Sequence, residues 1–319
     1  MMISLREKLQ NIRKRDFFKE NVRLPSSFHS LPWRQTERGK KAITLRELIS
    51  FMELLQPEEW ERTRNQQIKK RTWTSGTQGL TTDGTYWFIS KARSLDPLYS
   101  TIRKMDQNFK VLKRVRIERE PHGRHLGDID FFEGRIYGPL ERTSKLIVFD
   151  TNPNVKRIEK LKPMSGKTAL PQGNSFPWCA IHPWNKYLYS SSFDNVSQVH
   201  AYDLKDFSHV ATLELGKTLN RVQGGCISKN GHLYLSSDDR EGDAGIHAFS
   251  LLNGAYLGKR SVAVDHRKVG KSYREEVEGI AIWPPEFDQK HGHIHLILLQ
   301  VIASDLYLKS FTLPDPSRL

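Results

Sequence analysis

From Thr77 onward, short apolar stretches recur between turn residues, too short for helices and rich in β-branched and aromatic side chains, as strands are. One pattern repeats: a small or polar lead-in, an apolar strand, a turn, then a strand containing aromatics. It reads T-Q-G-L-T-T-D-G-T-Y-W-F-I-S from Thr77 and L-G-D-I-D-F-F-E-G-R-I-Y-G from Leu126. It returns as P-W-C-A-I-H-P-W-N-K-Y-L-Y-S-S-S from Pro177 and V-Q-G-G-C-I-S-K-N-G-H-L-Y-L-S-S from Val222. A fifth copy opens V-E-G-I-A-I-W at Val277 and resumes after a longer loop as H-I-H-L-I-L-L-Q.

Each copy is followed by an apolar-x-aromatic-Asp element or a variant of it. Examples are Ile147–Asp150, His200–Asp203 and His247–Ser250, with weaker forms at Arg103–Asp106 and Lys309–Thr312. A fourth strand is expected at Val111–Ile117, Val155–Leu161, Val210–Leu215 and Tyr256–Val262. Four strands per repeat, at a period of about 45–55 residues, predict propeller blades. The fold class is therefore all-β: a five-bladed β-propeller of four-stranded blades, with an N-terminal helical arm. The last repeat lacks a fourth strand, and Ile68–Thr74 is its expected donor, which closes the ring and removes a sheet edge. The expected division is a basic helical arm over 1–66 and a propeller over 67–319.

In that arm, Leu5, Leu9, Ile12 and Phe17 form a one-sided apolar stripe, and Thr44–Leu55 has a capping-box start and Pro57 after its end. Charge changes the picture here. Of the net +14, residues 1–71 carry 17 Lys/Arg against 9 Asp/Glu. The basic residues are interleaved with acids and lack a repeated base-stacking pattern, which argues against nucleic acid. A protein partner could be gripped by the arm or by the outer loops. The longest apolar run, Ile294–Ala303, is far too short for a membrane span. Two cysteines, Cys179 and Cys226, and no visible secretory signal lead to the expectation of a cytoplasmic protein.

The chemistry is expected where the inner strands start, because those positions converge at one mouth of a propeller channel. They hold Gln78, Asp128 with His125 just before it, Trp178, Gln223 and Glu278. Gln78, His125, Trp178 and Gln223 are the expected ligand-binding residues. Glu278 and Asp128 are the expected catalytic pair, since a partly desolvated carboxyl acquires a raised pKa suited to general acid or base work. The same two carboxylates are the expected ligands of a hard cation, Ca²⁺ or Mg²⁺. No nucleotide-cofactor motif is present. The acidic stretch Asp238–Asp243 lacks EF-hand spacing and reads as a solvated loop.

Thr77-Gln78-Gly79-Leu80 with Asp83-Gly84, Gly127-Asp128-Ile129, Trp178 and Glu278-Gly279-Ile280-Ala281 resemble the lead-in motifs of the plant and bacterial glutaminyl cyclases. Those enzymes are five-bladed propellers that cyclise N-terminal glutamine to pyroglutamate at the channel mouth. The family's acidic catalytic residue sits in Gly-Glu-Gly-Leu, where this chain has Gly127-Asp128-Ile129-Asp130, and its Asn-Gly-Ile-Ala is here Glu278-Gly279-Ile280-Ala281. The resemblance implies an enzyme acting on a small molecule or peptide terminus at the mouth, possessing cyclase-like chemistry. The alternative is a non-catalytic propeller that binds a ligand or protein as a scaffold.

Overall fold

In the computed structural model, residues 62–69, 76–92, 99–118, 125–228, 231–269, 272–273, 275–283, 293–300 and 305–312 are described. Five four-stranded antiparallel sheets form the ring. Blade 1 comprises β2 (Thr77–Thr82), β3 (Trp87–Ala92), β4 (Tyr99–Met105) and β5 (Val111–Glu118). Blade 2 comprises β6 (Asp130–Phe132), β7 (Arg135–Pro139), β8 (Lys145–Asp150) and β9 (Val155–Lys160). Blade 3 comprises β10 (Ala180–Ile181), β11 (Tyr187–Ser190), β12 (Val196–Asp203) and β13 (His209–Leu219). Blade 4 comprises β14 (Val222–Ile227), β15 (His232–Ser237), β16 (Gly245–Ser250) and β17 (Tyr256–Ser261). A two-residue hairpin, β18 (Lys268–Val269) and β19 (Ser272–Tyr273), precedes blade 5.

Blade 5 is built from β20 (Glu275–Trp283), β21 (His293–Gln300), β22 (Asp305–Thr312) and, outermost, β1 (Arg62–Lys69). The fourth strand thus comes from the N-terminal side, but in a different register from the expected one. Arg62 lies opposite Phe311 and Lys69 opposite Leu306. Only Ile68 and Lys69 of the expected span 68–74 lie in this strand, and 70–74 fall outside the described residues. The expected division after residue 66 therefore falls inside a strand. The reason is composition: Arg62–Lys69 reads R-T-R-N-Q-Q-I-K, polar enough to hide an edge strand from any apolar pattern. The expected helices in 1–61 lie outside the described residues.

The aspartates of the recurring apolar-x-aromatic-Asp element have a local task. Asp106 Oδ1 accepts the N–H groups of Asn108 and Lys110, and Asp150 Oδ1 those of Asn152 and Asn154, each at 2.9 Å. Asp203 does the same for Lys205. Each carboxylate folds the turn that leads into the outermost strand. The aromatic before it is buried between blades: Phe149, Tyr202 and Phe249 are all fully covered. Among the described residues no helix is long and apolar enough to cross a membrane.

Candidate functional site

The inner strands β2, β6, β10, β14 and β20 pack around one axis. Gly79 lies opposite Ser90 and Gly224 opposite Ser236, so Gln78 and Gln223 occupy the same place in their blades. Asp128 forms a parallel bridge with Trp178, which puts these two at the same level, whereas Leu126 bridges Leu140 within its own blade. The glycines of the lead-in motifs are needed because backbones meet here. A Cβ on Gly79 would lie 2.6 Å from Asp128 Cα, and one on Gly279 would lie 2.6 Å from Gly79 Cα.

Asp128 closes the axis. Its side chain is 0% exposed. Oδ1 accepts the backbone N–H of Leu80 at 2.9 Å and of Ile129 at 3.1 Å. Oδ2 accepts those of Gly225 at 3.1 Å and Ile280 at 3.3 Å. Its own N–H donates to Pro177 O at 2.9 Å, and its carbonyl accepts from Cys179 N at 3.3 Å. One residue therefore ties together all five blades. A carboxyl offers about four acceptor sites, and all four are taken by backbone donors. Burial raises the Asp128 pKa well above the ordinary aspartate value, against the pull of the Leu80, Ile280 and Gly225 N–H groups. Neighbouring Asp130, raised by burial to about 7, accepts from Ile181 N at 2.7 Å and Phe131 N at 2.8 Å.

Three serines extend this framework. Ser90 Oγ donates to Gly127 O at 2.8 Å, Ser190 Oγ to Trp178 O at 2.6 Å, and Ser236 Oγ to Glu278 O at 2.7 Å. Trp178 is fully buried in the core between blades 3 and 4; its indole N–H donates to Ser191 Oγ at 3.0 Å and its ring lies over Gly225. It packs; it does not line an opening. Cys179 and Cys226 are free, buried thiols whose pKa values burial pushes well up.

Glu278 is the contrasting carboxyl. It is 1% exposed, and its Oε2 has no hydrogen-bond partner among the described residues. Burial first, then the charges of Glu276, Asp238 and Glu141, hold its pKa well above the ordinary glutamate value, and Arg221 opposes them. Gln78 is half-buried, its Nε2 3.3 Å from Thr77 O, and Gln223 is half-buried too. His125 Nδ1 stands 3.8 Å from Glu141 Oε2.

Around Glu278 lies a group that the sequence reading missed. Asp238, assigned above to a solvated loop, is 0% exposed. Its Oδ1 accepts from Val277 N at 2.9 Å and lies 3.0 Å from His266 Nε2. Its Oδ2 accepts from Arg221 at 3.2 Å, and Arg240 lies 3.6 Å from Glu276. The signal for Asp238 was its place directly after Ser236-Ser237, at the mouth end of β15. Among the described residues no three His, Cys, Asp or Glu side chains are grouped as metal ligands.

No known protein family and no curated protein sequence matches the chain. Solved structures do. The chain is similar to the glutaminyl cyclase of Myxococcus xanthus at TM-score 0.56 and 14% identity, over 81% of this chain and 98% of that one. It is also similar to the tail fiber of Staphylococcus aureus phage P68 at TM-score 0.51 and 14% identity, over 79% of this chain and 53% of that one. At such identities the likeness concerns the fold: a five-bladed propeller of the kind seen in that bacterial glutaminyl cyclase.

Proposed function

We propose that the mouth beside Glu278 binds a small molecule or a peptide N-terminus, with Glu278 as general acid and base in a glutaminyl-cyclase-like ring closure. The observation that carries this reading is the buried Glu278 carboxyl, held towards its protonated form with one oxygen unpartnered among the described residues. A carboxyl kept neutral at neutral pH can donate a proton and take one back. In the cyclisation, the α-amino nitrogen attacks the γ-carboxamide carbon and the C–N bond to the leaving nitrogen breaks. Glu278 gives that nitrogen its proton, ammonia departs, and the carboxylate recovers a proton from the attacking amine. Glu276, Asp238 and Glu141 add negative potential suited to an N-terminal ammonium. Asp128, at the family's acidic motif, has its acceptor sites filled by N–H groups and serves as the axial tie.

The test is ammonia release and the matching mass loss from peptides beginning with Gln. Wild-type protein is expected to turn over, and Glu278→Gln to lose at least about a hundredfold in rate. Equal rates in the two proteins would overturn the assignment. Chelator and added Ca²⁺ or Mg²⁺ form a second arm, because a cation at Glu278 would make both rate and Tm respond to metal. A second reading has its own support. Trp178 is fully covered and Asp128 fills the axis, as in a propeller that binds without catalysis. Saturable ligand binding that Glu278→Gln weakens, with no ammonia release from any Gln peptide, would select that reading.

A further inference from the structure

Among the described residues six large apolar side chains are exposed, and four of them lie on two outer strands: Val111 and Leu112 on β5, Val155 and Ile158 on β9. These are the outermost strands of blades 1 and 2, and among the described residues each pairs along one edge only. Residues directly opposite one another share a face of the sheet. Val115 lies opposite Ile102, Val155 opposite Phe149 and Ile158 opposite Ile147. Ile102, Ile147 and Phe149 belong to the apolar cluster between the two blades, and Val115 packs against it. Val115, Val155 and Ile158 therefore line the outer end of one seam, with Val155 44% and Ile158 52% exposed.

Cations follow the same line. Lys113 lies opposite Lys104 two residues before Val115, and Lys160 follows Ile158 by two. The Lys104 ammonium stands 3.9 Å from the Tyr86 ring centroid. Lys113 Nζ crosses the seam and donates to Asn152 O at 2.9 Å and Asn154 Oδ1 at 3.0 Å. Lys160 is exposed. The nearby acids are engaged elsewhere: Asp150 pairs with Lys156 at 3.0 Å, and Glu159, opposite Leu146 on the other face, pairs with Arg157 at 3.1 Å. Positive charge along the seam is thus left without a carboxylate among the described residues.

The next two seams are closed. Between blades 2 and 3, Lys162 N donates to Phe207 O at 2.8 Å and His209 N to Lys162 O at 2.9 Å. Between blades 3 and 4, Gly216 N donates to Gly254 O at 2.8 Å, and Asp243 pairs with both Lys217 and Lys259 at 2.8 Å. The apolar residues of β13, Ala211, Leu213 and Leu215, are buried. Propeller closure does not require exposed Val and Ile beside lysines that meet only neutral groups.

We propose that the outer seam between blades 1 and 2 docks an extended acidic segment of a partner protein. The segment runs along the free strand edges, sets branched apolar side chains on Val115, Val155 and Ile158, and lays its carboxylates beside Lys104, Lys113 and Lys160. Free edges suit an added strand, the exposed apolar residues supply contact area, and the lysines select the acidic sequence. The chain's own residues 1–71 carry 17 Lys/Arg against 9 Asp/Glu, and the whole chain is +14, so the complementary charge comes from another protein. The site stands on the outer wall of the ring and holds whether or not chemistry occurs at Glu278.

The experiment uses the full chain and two fluorescein-labelled peptides, E-V-D-I-E-V-D and its charge-reversed counterpart K-V-K-I-K-V-K, read by fluorescence anisotropy. The acidic peptide is expected to bind saturably, more weakly as salt rises, and the basic peptide not to bind. Ile158→Asp, at an exposed position, should keep the wild-type Tm and weaken binding by about tenfold or more. Lys160→Glu should weaken it a few-fold and let the basic peptide begin to bind. Trp184→Ala, exposed but off the seam, should leave the affinity unchanged. Equal binding of the two peptides, or none of the acidic one, would overturn the proposal. So would an affinity untouched by Ile158→Asp. Co-sedimentation with phosphatidylserine vesicles that Ile158→Asp abolishes, in the absence of peptide binding, would assign the seam to a lipid surface and overturn it as well.

Discussion

Two buried carboxyls at inner-strand lead-ins, Asp128 and Glu278, have opposite surroundings. Asp128 meets four backbone N–H groups drawn from blades 1, 2, 4 and 5, and its own main chain is bonded to blade 3. Glu278 is as deeply buried, yet its Oε2 meets no donor among the described residues, and the charges around it are mostly of its own sign. Burial costs both groups water. Only Asp128 recovers that loss in hydrogen bonds, so it holds the ring together, whereas Glu278 sits at a cost that a ligand could relieve. Strong pKa perturbation marks both residues, and it therefore does not separate a structural carboxyl from a candidate functional one. The partner count does.

The comparison breaks most visibly at Asp128. Asp128→Ala leaves four buried N–H groups unpaired and is expected to cost more than about 4 kcal/mol, enough to keep much of the protein from folding. Asp128→Asn keeps the shape but points an NH₂ at two of those donors, so a loss of about 2–4 kcal/mol is expected from denaturant midpoints. An Asn variant as stable as wild type would show that the axial hydrogen bonds contribute little.

The same carboxyl-to-amide change at Glu278 should act in the other direction. Its raised pKa means that the folded state keeps a proton the unfolded chain has released. Stability attributable to this group is therefore greatest below the ordinary glutamate value and falls as pH rises towards the folded value. Glu278→Gln removes that loss. The variant should match wild type near pH 4 and exceed it at pH 8 by roughly 1 kcal/mol, read from chemical denaturation at the two pH values. A stability difference that does not change with pH would contradict the buried-acid description.

A smaller effect sharpens the contrast between the two carboxyls. Ser236 Oγ holds the Glu278 carbonyl, tying blade 4 to blade 5 just behind the candidate site. Ser236→Ala should cost about 1 kcal/mol at every pH, since no titrating group is removed. A pH-dependent cost would mean that the serine also positions the Glu278 carboxyl.

Much of this architecture was written locally. The apolar strands, the turn-forming aspartates Asp106, Asp150 and Asp203, and the glycines at 79, 127 and 279 each answer a constraint within a few residues or at one repeated position. That is why blade count and strand order could be read from the repeat. The register at Asp128 was not legible from the repeat, since a gapless fit sets Leu126 over Gln223; the bridge to Trp178 decides it. The closing strand was found only in kind. Arg62–Lys69 is polar, and pairing with β22 selected it through backbone hydrogen bonds that carry no side-chain signature.

The roles of the polar residues were decided by tertiary structure. Asp128 and Glu278 are both carboxylic acids beside a glycine at an inner-strand lead-in, Asp128 after Gly127 and Glu278 before Gly279, and that local context does not reveal their roles. The donors to Asp128 come from positions 48 to 152 residues away, apart from Ile129. Asp238 reads as loop until Val277 and His266 reach it from the blade 5 side and Arg221 from the start of blade 4. Trp178, at the mouth by sequence position, turns its ring into the core because Gly225 leaves it room. Hydrogen-bond satisfaction depends on what the rest of the chain brings to an atom. The sequence determines a propeller and the positions that face its axis; only the folded ring determines which of those groups are already occupied.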